Sequence, residues 1–340
     1  MSTKGLVLVT GINGFIGGRT AEAFLQAGYS VRGTVRSKAS AKATVEALSQ
    51  YGEKLEITEV PDITIPGAFD EAVKGVVAIV HLAQPVTFAF PHPNVLLELV
   101  RTATTRILES ATNVLSVKSV VLMASISSVL QRKEGPYTYT EKDWNHEALD
   151  LVAQLGEKAP GPLVYVASKV AGEKAFWEFR DKQKPSFTMT AVHPVYVSGP
   201  PLTSPESADK IAGSLAYIWK VMSGEEIPGP LAGFGWYVDV RDVAKLVVFA
   251  VENADQADGE RYISSSAYGP PQAAADILRK SYPDLPIKEG QPGEGYLPGF
   301  KTPGKLIVDG SKAEKAVGEE YIPYDQSVLD TAKMFEPLLL

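Results

Sequence analysis

Six short apolar runs rich in Val, Ile and Leu recur through the first half of the chain: Leu6 to Thr10, Val31 to Val35, Leu55 to Val60, Val76 to Leu82, Val117 to Met123 and Phe187 to Val192. Read as unalternated runs, they call for cover on both faces, which is the signature of buried parallel strands. Helical stretches near 14–27, 39–51, 66–74, 94–115 and 163–184 separate them. Strands alternating with helices in this way predict an α/β fold built on a doubly wound parallel sheet.

After His193 the chain changes character. Loops rich in Pro and Gly (Gly199, Pro200, Pro201; Pro228, Gly229, Pro230; Pro298, Gly299) alternate with helices near 205–223 and 271–281, which suggests a smaller C-terminal α+β cap. A helix near 240–253 and a short strand at Arg261 to Ile263 return to the main sheet. The expected division is therefore 1–195 with about 236–265 in the large unit, and about 196–235 with 266–340 in the cap.

The formal net charge of -7, without a cluster of Lys and Arg, argues against a nucleic-acid partner. Cys is absent, so disulfides, thiolate metal sites and cysteine nucleophiles are excluded. The four histidines, 81, 92, 146 and 193, have no ligand spacing, and no metal is expected. A first strand that begins almost at once, with no signal-type leader and no run of about 18 apolar residues, leads to the expectation of a cytoplasmic protein without a membrane span.

The first strand runs into Thr10, Gly11, Ile12, Asn13, Gly14, Phe15, Ile16, Gly17 and then a helix. In such a loop one glycine allows the tight turn, the next admits a pyrophosphate and the third lets helix and strand close together. This context makes the chain a Rossmann-type dinucleotide binder. The second strand ends in Arg36, Ser37, Lys38 where an NAD site usually carries a carboxylate, so Arg36 and Lys38 point to a 2′-phosphate and to NADPH/NADP+. Asp62 and Ile63, past the third strand, are candidates to bracket the adenine.

Tyr165 and Lys169 open a helix at i, i+4 spacing, which puts phenol and ammonium on one face. A cation beside a tyrosine is expected to lower its pKa towards neutrality. Ser125 lies just past the fifth strand, at the end that faces the crevice, whereas Ser127 and Ser128 are expected merely to satisfy loop backbone groups. Ser125, Tyr165 and Lys169 are the candidate catalytic set.

On these residues the chain resembles the extended short-chain dehydrogenase/reductase family, in its branch of dihydroflavonol reductases and fungal carbonyl, aldehyde and methylglyoxal reductases. The resemblance rests on the Thr10–Gly17 loop, Ser125, Tyr165 with Lys169, and the strand end His193, Pro194, Val195, Tyr196, Val197. It implies that Pro194 and Val197 flank the nicotinamide, that His81, Leu82, Ala83, Gln84, Pro85 passes over the cofactor with Ala83 in contact, and that a small carbonyl compound is reduced to an alcohol. Tyr165 would deliver the proton, Ser125 would bond the carbonyl oxygen, and Lys169 would bond the nicotinamide ribose and lower the tyrosine's pKa. Three departures stand out. Thr102 and Ala103 occupy a place where relatives often have Asn-Gly. His193 and Ser198 replace a commoner Asn and Phe, with an expected effect on the pocket wall, and a cinnamoyl-CoA reductase signature is missing around Tyr165.

Two other functions share features with this set: a nucleotide-sugar epimerase or dehydratase with bound NAD, and a non-catalytic NADP-sensing protein. Phe88, Phe90, Tyr137, Tyr139, Trp219, Phe234 and Trp236 offer aromatic surface for an apolar substrate pocket. Dimerisation through helices 94–115 and 163–184 is what relatives imply; the spacing itself leaves monomer and homodimer open.

Overall fold

A computed structural model describes residues 3–84, 92–211, 213–225 and 235–339. The first half runs β1 (Leu6–Thr10), α1 (Phe15–Gln26), β2 (Ser30–Val35), α2 (Lys42–Ala47), β3 (Leu55–Glu59), β4 (Val76–His81), α3 (Pro93–Thr112) and β5 (Ser119–Met123). It continues through β6 (Tyr137–Tyr139), α4 (Glu147–Leu155), α5 (Gly161–Gln183), β7 (Thr188–Pro194) and β8 (Tyr196–Ser198). The remainder comprises α6 (Leu215–Met222), β9 (Trp236–Asp239), α7 (Val240–Glu252), α8 (Ala254–Ala257), β10 (Arg261–Ser264), β11 (Ala267–Tyr268), α9 (Pro271–Ser281), β12 (Leu306–Val308), α10 (Ser311–Val317) and α11 (Tyr324–Phe335).

Seven strands form one parallel sheet in the order β10-β7-β5-β4-β1-β2-β3. Alternate residues of each central strand enter opposite cores. Val7, Val9, Val80, Val121 and Val192 pack with Phe24 of α1 and Val243 and Val247 of α7. Leu8, Ile79, Val120, Leu122 and Met189 pack on the other side with Ile107 of α3 and Phe176 of α5. Each such side chain contributes about 1.5–3 kcal/mol on burial, which is why both faces of these strands must be apolar. The edge strand β3 departs from that pattern: Glu56 and Glu59 are exposed, so its face is only half covered.

Two expected helices are not formed as read. Residues 66–74 fold as consecutive turns, with Gly67 at φ of 75° outside the helical region; Phe69, Ala72 and Val73 are buried nonetheless. Within 205–223 the described residues form a 3-10 turn at Ala208–Lys210 and the α-helix Leu215–Met222, with Gly213 at φ of 62° before the latter. A separate core of α6, α9 and α11 gathers around Tyr217, Tyr237, Tyr324 and Phe335. The stretch 306–317, assigned by sequence to the cap, instead adds β12 beside β6 and puts Val308 and Ala313 into the core under α7.

Helix α5 starts with proline in its first turn, where the missing N–H costs nothing, and packs chiefly on α3. A buried charge cluster pins it to the sheet. Glu173 Oε1 accepts from Arg261 Nε on β10 at 2.7 Å and from Trp177 Nε1 at 3.1 Å, while Arg261 Nη2 donates to Oε2 at 3.2 Å. His193 Nε2 of β7 lies 2.8 Å from Oε1. Arg261 is itself held by the carbonyls of Glu141 and Asp143 and stacks on Trp144 at 4.0 Å.

Burial pushes the Glu173 carboxyl up, but His193 and Arg261 outweigh it and hold the group at about 2. Glu173→Gln leaves Arg261 buried without a counter-charge, so it is expected to cost about 3–5 kcal/mol at neutral pH. A depressed acid stabilises the fold above its unfolded pKa and loses that contribution as pH falls through the folded value. Urea titrations from pH 7 downward should show wild type and variant converging between about pH 5 and pH 2. A gap that stays constant over that range would rule out a strongly stabilised carboxylate.

Candidate active site

The strand order reverses between β4 and β1, and the C-terminal ends of β1, β4, β5 and β7 open on a common crevice. Leaving β1, the chain donates Gly11 N and Ile12 N to Thr34 O at 3.0 and 3.3 Å. A methyl group on Gly17 would stand 2.2 Å from Gly11 O, and one on Gly33 would stand 2.5 Å from the Ile12 side chain, so both positions exclude a Cβ. Gly14 caps α1 without a side chain, and no acidic residue occupies the first turn. The first N–H groups of α1 are therefore unblocked and carry the partial positive charge of a helix start. Phe15 and Ile16 pack inward, and Asn13 Nδ2 ties the loop to Ser40 O at 3.3 Å.

Thr10 was quoted in the loop motif but given no task by sequence. Its hydroxyl oxygen accepts from Leu82 N and Ala83 N, both at 2.9 Å, and lies 3.1 Å from His81 Nδ1. With two donors already on the oxygen, its proton goes to His81. The exit from β4 is thus clamped over the glycine loop, and Ala83 Cα comes within 3.5 Å of where a Gly11 Cβ would be. His81 is buried; burial first, and the Lys169 charge second, lower it to about 3, so the ring is neutral.

Arg36 and Lys38 are exposed at the end of β2, and among the described residues neither side chain is in an ion pair. The Lys38 backbone donates to Glu59 Oε1 at 2.5 Å, which fixes this turn. Asp62 is exposed and turns back on Thr64, accepting from its N at 2.8 Å and its Oγ1 at 2.6 Å; these bonds lower its carboxyl. Ile63 packs against the core.

Ser125, Tyr165 and Lys169 are brought together. Ser125 hydrogen-bonds the Tyr165 side chain, and Ser125 Oγ also accepts from Ser127 N at 3.2 Å. Lys169 Nζ stands 5.7 Å from the Tyr165 ring centre and donates to Gln84 Oε1 at 2.9 Å. The expected lowering of the tyrosine is not what results: burial raises Tyr165, and the Ser125 bond only partly opposes it. Burial also lowers Lys169, to about 8. Ser128 differs from expectation as well, since its buried hydroxyl has no partner among the described residues.

Pro194 and Val197 are buried around the end of β7. His193 and Ser198 are buried and paired: the first joins Glu173, and Ser198 Oγ meets Ser327 Oγ of α11 at 2.7 Å. Thr102 of α3 donates its hydroxyl to Glu98 one turn earlier at 3.4 Å. Of the aromatic residues expected in a pocket, Phe88, Phe90 and Phe234 lie outside the described residues, as does Pro85. Tyr139 is buried with its hydroxyl on Gln131 O, Trp219 packs on Phe335 and Trp236 on Tyr268. Among the described residues no helix is long and apolar enough to cross a membrane.

Comparison with known proteins supports the same architecture. A family model described as the NAD dependent epimerase/dehydratase family matches residues 7–263. An uncharacterized oxidoreductase from Schizosaccharomyces pombe is 35% identical, with 98% of this chain and 97% of that protein covered. Aldehyde reductase 2 from Sporidiobolus salmonicolor is 33% identical over 89% of both. The crystal structure of yeast methylglyoxal/isovaleraldehyde reductase Gre2 complexed with NADPH superposes with a TM-score of 0.85 at 30% identity, covering 98% of this chain and 99% of that one. Matched by the family model over three quarters of its length and by relatives nearly end to end, the chain belongs to the NAD dependent epimerase/dehydratase family, the extended short-chain dehydrogenases/reductases.

Proposed function

We propose that the protein is an NADPH-dependent carbonyl reductase that converts small aldehydes or ketones to alcohols in the cytoplasm, as a monomer or homodimer. The observation that carries this reading is the convergence of Ser125, Tyr165 and Lys169 beside a loop closed by Gly17, which leaves no room for a Cβ, and backed by Gly33 of β2, which leaves none either. Relatives named as aldehyde reductase and NADPH-dependent methylglyoxal reductase support it. The dinucleotide is held by 1–195 with about 236–265, and substrate by 196–235 and 266–340 apart from the returning stretch 306–317.

Gly11, Asn13, Gly14, Phe15, Ile16 and Gly17 would take the pyrophosphate on the start of α1, and Arg36 and Lys38 the 2′-phosphate. Asp62 and Ile63 would border the adenine, with Ala83, Pro194 and Val197 around the nicotinamide. Bound NADPH supplies a hydride for the carbonyl carbon. The two hydroxyls of Ser125 and Tyr165 hold the carbonyl oxygen between them and stabilise the charge that develops there. Tyr165, raised by burial, keeps its proton at neutral pH and gives it to that oxygen. Lys169 opposes the charge left on the phenolate and so eases the transfer.

The test follows loss of reduced-nicotinamide absorbance with a panel of aldehydes, diketones and aryl ketones. Tyr165→Phe should lower kcat/KM by about 10²–10⁴-fold while NADPH affinity is retained; full activity in that variant would remove the phenol from the reaction. Failure of every carbonyl compound to consume NADPH, together with NAD carried through purification, would favour the epimerase reading. Arg36→Asp should raise KM for NADPH about tenfold or more, the value of a lost charged hydrogen bond, and leave KM for NADH within a few-fold. Equal effects on both cofactors would take Arg36 out of 2′-phosphate recognition.

A further inference from the structure

Lys169 is 9% exposed, and among the described residues no carboxylate stands within ion-pair distance of its Nζ. A buried ammonium without a counter-charge needs at least a hydrogen-bond acceptor. Here that acceptor is the carboxamide of Gln84, with Oε1 2.9 Å from Nζ. The two residues before Gln84 are pinned through their backbone N–H groups to Thr10, so the carboxamide is mounted on the edge of the glycine loop.

Its seat on the helix side is equally specific. Gly172, three residues after Lys169 on α5, faces it: a Cβ there would lie 3.4 Å from Gln84 Nε2 and 2.7 Å from Val100 on α3. Thr104 of α3 borders the same space, with its hydroxyl spent on Val100 O. The titratable groups around Nζ are few. Tyr165 lies on the same helix, His81 on β4 is neutral, and Glu173 one turn further along is committed to Arg261, His193 and Trp177. The side chains of α3 that border the seat, Val100 and Thr104, carry no charge.

We propose that Gln84 is a positioning residue whose carboxamide oxygen fixes Lys169 Nζ between the glycine loop and Tyr165 and stabilises the ammonium form there. The proposal rests on the reading of Tyr165 and Lys169 as the reacting pair, but the contact it describes can be tested without that chemistry. A neutral acceptor in this seat lets the ammonium persist near neutrality without a carboxylate that would add a negative charge to the crevice. Bond length matters as well as charge, since the clamp on Leu82 and Ala83 leaves Gln84 little backbone freedom.

Lysine Nζ titration followed by NMR on isotope-labelled protein, with the Lys169 signal assigned from Lys169→Met, reads the contact directly. Gln84→Met keeps the length of the side chain and removes the acceptor, so the Lys169 titration should move down by about one pH unit; Gln84→Glu should move it up by at least as much. The alkaline limb of the kcat/KM profile for NADPH-linked reduction should follow in the same two directions, because activity that needs the ammonium disappears as pH rises through its pKa. A packing role alone would lower activity in both variants without moving the titration. If one variant does not fold, the other still tests the sign. A Lys169 titration unmoved in the folded variants overturns the proposal. If the titration moves but wild type reduces no carbonyl compound, the contact stands and the reductase reading fails.

Discussion

A parallel sheet covered on both faces restricts where chemistry can be placed. Leu8, Val9, Val80, Val121 and Leu122 are all fully buried, and an uncompensated charge among them would cost several kcal/mol. Polar side chains therefore appear where strands end. Thr10 closes β1, His81 closes β4, Ser125 follows β5 by two residues, and His193 stands one residue before the end of β7. The four lie on adjacent strands, so the exclusion of polar groups from the sheet is also what assembles them at its rim.

Helix α5 carries two buried charges one turn apart, and the fold treats them in opposite ways. Glu173 receives a guanidinium, an imidazole and an indole N–H, which makes it a fixed anion and ties three elements together. Lys169 receives one carboxamide, and burial leaves it at about 8, where it can respond to what binds. The start of α1 carries no acidic residue in its first turn, and Arg36 and Lys38 are exposed at the end of β2, on a chain of net charge -7.

The central strands were legible because two-sided burial writes itself as continuous Val, Ile and Leu, and the glycine loop because Gly11 takes φ of 66° and Gly17 leaves no room for a Cβ. The turns at 66–74 were misread since Phe69, Ala72 and Val73 mimic a helical apolar face while Gly67 breaks the chain geometry. The return of β12 to β6 could not be read, as it joins two three-residue strands across more than 160 residues with half of their side chains exposed. Ser125, Tyr165 and Lys169 were found by spacing and place in the chain. Gln84 and Glu173 were not, because each matters only through partners on other elements. The signal available for both was a polar residue inside an otherwise apolar neighbourhood.

The same distinction explains how α5 is held in register. Tyr165, Lys169, Gly172 and Glu173 follow one another at i, i+4, i+7 and i+8, a single stripe along the helix. The stripe is polar or bare, so it gives little apolar periodicity to the sequence. Each member meets a different element: Ser125 after β5, Gln84 after β4, Val100 on α3, and Arg261 on β10. Apolar contacts alone would let a long helix settle one residue out of place with partial repacking. Three polar pairings and one glycine contact cannot all be remade after such a slip, and each lost polar pairing would leave a buried polar group unsatisfied. The register of the candidate catalytic helix is thus set by hydrogen bonds, and Tyr165 and Lys169 of the candidate set are among the residues that make them.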